Sequence, residues 1–169
     1  MLKSLFVFMI VAFVAVIFET AILSNLLFLP AVPDFLLICV LYVSLYNGSL
    51  YGTTAGFLSG LFLDFMSVSA FGLNCLLRTV VGYTAGRFSK TLNINGFLLP
   101  ALVGFCATLF KALLIWIISI FFPGSVVAYN LLSVEFVFEL AANAILTPVM
   151  FKLLGIFNNM LLLEIKDIK

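Results

Sequence analysis

Apolar runs separated by short turn-like breaks dominate the chain. A helix needs ~20 apolar residues to cross a hydrocarbon core ~30 Å thick, and the sequence divides into six such runs. The first covers about Ser4 to Leu26 and the second about Asp34 to Tyr46, which is short unless it extends through Pro33. The third is about Leu50 to Met66 and the fourth Phe71 to Phe88. The fifth is Phe97 to Phe122, and the sixth Leu131 to Phe151 or a little beyond. Between them lie "LPAVPD", "YNGSLYG", "MSVSAFG", "KTLNINGF" and "FPGSVVAYN", all built from residues that punctuate helices. The pattern predicts an all-α polytopic membrane protein whose six transmembrane helices form a single domain over residues 1–169. The second and third runs are candidates for a tight helical hairpin.

Two of the runs carry polar or small residues at a helical spacing. Gly52, Gly56, Gly60 and then Asp64 recur every four residues, which places them on one helix face. Membrane helices associate by close packing, and small residues let backbones approach. The fourth run answers with Gly82 and Gly86, and with Arg78 on the side of Gly82. The third and fourth helices are therefore expected to pair and to bring Asp64 towards Arg78. In the sixth run, Glu135, Glu139, Asn143 and Thr147 form a polar stripe on an otherwise apolar helix. Such a stripe faces the interior of a bundle, or a partner, and not lipid.

Composition confirms the class and removes alternatives. Hydrophobic residues make up 65% of the chain and charged residues 9%, more apolar surface than a soluble domain of this size can bury. A net charge of +1 argues against nucleic acid as a partner. Histidine is absent, which removes the commonest general base and metal ligand. Cys39, Cys75 and Cys106 each lie within an apolar run and read as packing residues rather than a disulfide or metal site. The first apolar run is longer than a signal-peptide core and has no A-x-A site, so it reads as an uncleaved span.

Loop charges set the expected orientation. Lys3, Arg87, Lys90, Lys152, Lys166 and Lys169 all fall on one side of a six-span arrangement, and the other side's loops hold no Lys or Arg. Basic residues accumulate on the cytoplasmic side, so both termini are expected there. The tail "EIKDIK" is suited to anionic headgroups or a cytoplasmic partner.

The charges left inside the runs are Arg78, Lys111, Glu19, Asp34, Asp64, Glu135 and Glu139. Each is costly against lipid and should face protein or water. At a rise of ~1.5 Å per residue, Glu19, Arg78, Lys111 and Glu139 fall in one layer in the outer third of the membrane, with Asp34, Asp64 and Glu135 at or just above it. One reading is structural: the two bases neutralise two acids and hold the helices in register. The other is an outward-facing polar cavity that binds a ligand, or a proton pathway. Five acids against two bases leave a surplus that protonation, water or a partner must meet. Arg78 is expected to pair with Asp64 and to bridge towards the sixth helix.

No catalytic constellation accompanies these charges. There is no P-loop, no Cys/His cluster and no serine with a base partner, and "GYTAGRF" follows no strand that would make it a dinucleotide loop. Neither an enzyme nor a cofactor is expected.

With these residues in place, the chain resembles the rod shape-determining protein family MreD over nearly its whole length. The resemblance rests on its size, its short loops and the run from Pro33 to Phe88. That run holds Pro33 and Asp34 opening the second span, and Gly52, Gly56, Gly60 and Asp64 along the third. Gly72 follows a short turn, and then Gly82, Tyr83 and Gly86. The aromatic first span and the acidic stripe of the sixth lie outside it. The resemblance implies a non-enzymatic inner-membrane subunit of the cell-elongation machinery. Such a subunit would pair with the bitopic protein MreC and work beside MreB, RodA and a class B transpeptidase in peptidoglycan synthesis. It also implies a fold similar to the substrate-binding subunits of energy-coupling-factor vitamin transporters, which supplies an alternative function. Short external loops and a lone mid-span Trp116 weigh against that alternative, and the lack of evident internal repeats weighs against a proton-coupled transporter.

Overall fold

The structure is a computed structural model that describes residues 2–22, 30–67, 70–89, 91–92, 94, 96–127 and 129–163. Among these residues every regular element is helical. Helix α1 spans Leu2–Ile17 and runs on into a π-helical turn over Phe18–Ile22. Helices α2 (Phe35–Asn47), α3 (Ser49–Met66), α4 (Leu73–Arg87), α5 (Leu98–Phe121) and α6 (Val134–Gly155) follow, and a single turn, α7 (Asn158–Leu161), closes the order. The far end of the first expected span, to Leu26, lies outside the described residues, as do Lys90 and the "EIKDIK" tail with Lys166 and Lys169.

Among the described residues, three segments are long and apolar enough to cross a membrane: Leu2–Ala21, Leu98–Phe121 and Val134–Gly155. Helix α2 is apolar but shorter, at 13 residues. Its environment explains how a short apolar helix is tolerated. Every residue from Leu36 to Leu45 is buried, so α2 is the axis around which the others pack. A helix that is apolar all round is buried either in a protein core or in a membrane, and here protein surrounds it. Asp34 starts it, accepting from the Leu37 amide at 2.8 Å, and Gly48 ends it. That glycine, at φ +90°, is the one residue between α2 and α3, so the expected hairpin is as tight as a helical connection allows.

Helix α4 packs closely along α3, and the glycines make this possible. A Cβ on Gly52 would strike the carbonyl oxygen of Gly82, one on Gly56 the carbonyl of Arg78, and one on Gly60 the Cα of Cys75. The relation is reciprocal. A Cβ on Gly82 would strike the Gly52 carbonyl, and one on Gly86 the backbone of Ser49. Each of these glycines thus faces main chain, which cannot step aside, and Gly52 faces the Ser44 side chain as well. The α5–α6 contact repeats the device once, since a Cβ on Gly104 would meet Thr147 and the Asn143 carbonyl.

One end of the molecule is tied by polar bonds that the sequence pattern did not announce. Ser4 Oγ donates to the Leu161 carbonyl at 2.8 Å and lies 2.9 Å from the Tyr51 hydroxyl. Asn47 donates to the same Leu161 carbonyl at 3.0 Å and accepts from the Leu163 amide at 2.8 Å. Tyr42 donates to Asn158. Helix α7 is thereby tucked against α1 and α2, and Tyr51 ties α3 to the same point through Ser4.

Candidate functional site

The buried charges converge at the end of the bundle opposite α7. Asp34 is brought there by the start of α2, Arg78 by the middle of α4, Lys111 by α5 and Glu139 by α6. Arg78 Nη2 donates to Asp34 Oδ1 at 2.8 Å. Lys111 Nζ donates to Asp34 Oδ2 at 2.8 Å and to Glu139 Oε1 at 2.9 Å. Asp34, Arg78 and Glu139 are each at least 95% buried. Asp34 therefore joins α2, α4 and α5 through its two cations, and Glu139 adds α6 through Lys111.

The acidic stripe of α6 faces α5. Glu139 meets Lys111, Asn143 Nδ2 donates to Thr108 Oγ1 at 3.1 Å, and Thr147 lies against Gly104. The residues opposite the stripe descend α5 by three and then four positions as the stripe ascends by four and four, which sets the antiparallel register of the pair. Asn143 also accepts from the Asp34 amide at 2.9 Å, so the stripe holds the start of α2 in place. Glu135, one turn above Glu139, is exposed at the rim.

Asp64 is placed differently from the sequence expectation. The acid that pairs with Arg78 is Asp34, not Asp64. Asp64 Oδ2 accepts from the amides of Gly72 and Cys75 at 3.0 Å each, and Oδ1 from the Asn74 amide at 3.1 Å and its side-chain Nδ2 at 3.0 Å. The start of α4 exposes amides that no earlier turn can accept and carries the positive end of its dipole. A buried carboxylate on the neighbouring helix satisfies both. Gly72, at φ +91°, turns the chain so that these amides point back at α3. Asp64→Ala is accordingly expected to lower stability by about 0.5–2 kcal/mol, the range for a lost N-terminal cap. Thermal unfolding in detergent measures this loss, and an unchanged midpoint would show the four bonds to be incidental.

The polar centre expected from the sequence was Asp34, Asp64, Arg78, Glu135 and Glu139; Lys111 is a further member of the ion-pair cluster and Glu19 borders it. Glu19 stands on the π-helical turn, and its Oε2 accepts from the Leu36 amide at 3.3 Å. Single π-turns within α-helices are rare and frequent at functional sites. Depth along the helices was the available signal, since it put Glu19 and Lys111 in one layer with Arg78 and Glu139. A cavity of about 340 Å³ opens beside the cluster, bordered by Glu19, Asp34, Arg78, Lys111, Glu135 and Glu139, with Tyr129 at its edge. The Lys111 ammonium lies 6.0 Å from the centre of the Tyr129 ring, and burial raises the Tyr129 hydroxyl above its ordinary range, so it stays protonated. Among the described residues, Nε and Nη1 of Arg78 are buried without an acceptor.

The arrangement contains acids and cations but no activated nucleophile. Its chemical capacities are to cross-link helices and to border a polar cavity. No curated protein and no solved structure matches the chain. The family described as rod shape-determining protein MreD matches residues 1–157, nearly all of a chain whose apolar helices, glycine face and internal charges have now been placed, and the chain belongs to that family.

Proposed function

We propose that the chain is a non-enzymatic, multi-pass scaffold of the cell-elongation machinery in the bacterial inner membrane, built as one transmembrane domain with six spans. In this reading it binds the transmembrane helix of MreC and through it meets RodA, a class B transpeptidase and MreB. The family match over residues 1–157 carries the reading. The internal chemistry supports it, because the ion pairs and glycines are directed at the protein's own helices and leave the lipid-facing surface for a partner. The experiment is a pull-down of the tagged chain from membranes, read by mass spectrometry. Recovery of MreC with cell-wall synthases is the expected result. The cavity beside Arg78 favours a second reading, a substrate-binding subunit of an energy-coupling-factor transporter. Recovery of a pair of cytoplasmic ATPases instead would establish that reading and overturn the scaffold.

Both termini are proposed to be cytoplasmic. Lys3, Arg87 and Lys152 are exposed, as residues that hold an orientation at a charged surface must be. A cysteine replacing Lys169, in a chain whose exposed Cys106 is changed to alanine, should resist a membrane-impermeant maleimide added to intact cells. Ready labelling would mean an odd number of spans.

A further inference from the structure

The cavity beside the cluster has a charge pattern that selects its occupant. Its walls carry four acids, Glu19, Asp34, Glu135 and Glu139, and two bases, Arg78 and Lys111. Asp34 is fully engaged, since Oδ1 accepts from Arg78 and the Leu37 amide and Oδ2 from Lys111. Glu139 shares Lys111. Glu19 bonds a backbone amide and forms no ion pair with either base, and Glu135 stands exposed at the rim. On the other side of the balance, Arg78 is 97% buried and retains two donors, Nε and Nη1, that no acceptor meets among the described residues. Buried donors without acceptors are rare and costly.

A simple anion would meet Arg78 but face Glu19 and Glu135. A simple cation would meet these acids and leave the arginine donors unmet. Only a molecule with an anionic and a cationic end a few bonds apart answers both. We propose that the cavity is a binding site for an amino-acid zwitterion, either a free amino acid or the ammonium–carboxylate end of a peptide. Its carboxylate is held at the Arg78 side of the wall, beside the Lys111 ammonium, and its ammonium sits against Glu19 with Glu135 at the entrance. The volume of about 340 Å³ is at the lower end of ligand pockets, roughly 300–1,000 Å³, and suits one small zwitterionic group rather than a ring system. The inference stands on the cavity and its charges and does not depend on the scaffold reading.

The test uses the full chain in detergent, with thermal unfolding and isothermal titration as readouts. The probes are alanine, a dialanine peptide, N-acetylalanine and alanine amide. The first two keep both charges and the last two each remove one. Binding by alanine or by dialanine, with at least tenfold weaker binding of both blocked forms, is the expected result, and which of the two binds tells a free amino acid from a peptide end. Glu19→Gln breaks no ion pair and preserves side-chain shape, so it should fold normally and lose tenfold or more in affinity for the zwitterion. Failure of alanine and dialanine to bind at millimolar concentration, equal binding of the blocked forms, or full affinity in Glu19→Gln would each overturn the proposal.

Discussion

Asp34→Asn is expected to remove most of the folded protein from the membrane, more completely than the loss of any other charged residue. Asparagine keeps the size of the side chain and its ability to cap α2 through the Leu37 amide, so the substitution isolates the charge. That charge is shared. Asp34 bonds Arg78 through one oxygen and Lys111 through the other, both at 2.8 Å, and its neutralisation strands two buried cations at once. Breaking a single buried pair costs about 3–5 kcal/mol, a large part of the ~5–15 kcal/mol that holds an ordinary domain together. Arg78→Met should be milder, because Asp34 keeps Lys111. Lys111→Met should fall between, since it frees Glu139 while Arg78 remains on Asp34. The double variant Asp34→Asn/Arg78→Met should be less damaged than the sum of its parts. Arg78→Met with Asp64→Leu should be near additive, because those two residues share no bond. The measurement is the monodisperse fraction after detergent extraction, followed by thermal unfolding of each variant. Parental stability in Asp34→Asn, or damage from Arg78→Met equal to it, would show that Asp34 is not the hub.

Gly56→Leu is the second substitution expected to be severe. The new Cβ would overlap the carbonyl carbon of Arg78 at 2.7 Å, well inside van der Waals contact. That neighbour is main chain within a helix and cannot rotate away, so α3 and α4 must separate along their length. Overpacking costs roughly 1–3 kcal/mol where side chains can adjust, and the cost here lies at the top of that range or above it. Separation would also carry Arg78 away from Asp34, so the two sites are coupled and their losses compound. Two other glycines serve as controls. A Cβ at Gly72 or Gly124 meets nothing within 4 Å. Gly72→Ala should nevertheless lose about 1–2 kcal/mol, because a left-handed backbone disfavours any side chain, and Gly124→Ala should be silent. Normal accumulation and full rod-shape complementation by Gly56→Leu would refute the close contact.

The glycine face shows how much a sequence can disclose about membrane packing. Spacing by four puts Gly52, Gly56 and Gly60 on one side of any helix they form, and in lipid a bare stripe has few uses other than close approach. The partner was legible as well, since α4 carries glycines at the same spacing. Helix extents were legible for a similar reason. Apolar length and turn residues are local properties, and the expected runs agree with α2 to α5 to within two residues at either end. The sixth run begins three residues later than expected and reaches Gly155, because Ser133 caps α6 by accepting from the Phe136 amide at 3.2 Å.

Depth, too, follows from counting residues along a helix, and it placed Glu19, Arg78, Lys111 and Glu139 in one layer before any fold was known. Azimuth does not follow from counting. Asp34 and Asp64 were both near enough in depth to serve Arg78, and their rotation about the bundle decided between them. Asp64 looks along α3 at the open amides of α4, which occupy both its oxygens, whereas Asp34 stands at the head of the central helix and faces Arg78 and Lys111 together. The central place of α2 was hidden for the same reason, since a short apolar run reads alike whether lipid or protein surrounds it. So was the seat of α7, whose four residues bind through hydroxyls, amides and a carbonyl on segments more than a hundred positions apart in places. Local sequence settled which stretches are helical, how long they are and which faces can touch. Which carboxylate meets which cation depended on the packing of all the helices at once, because a buried charge takes the partner that the whole bundle brings within hydrogen-bond distance.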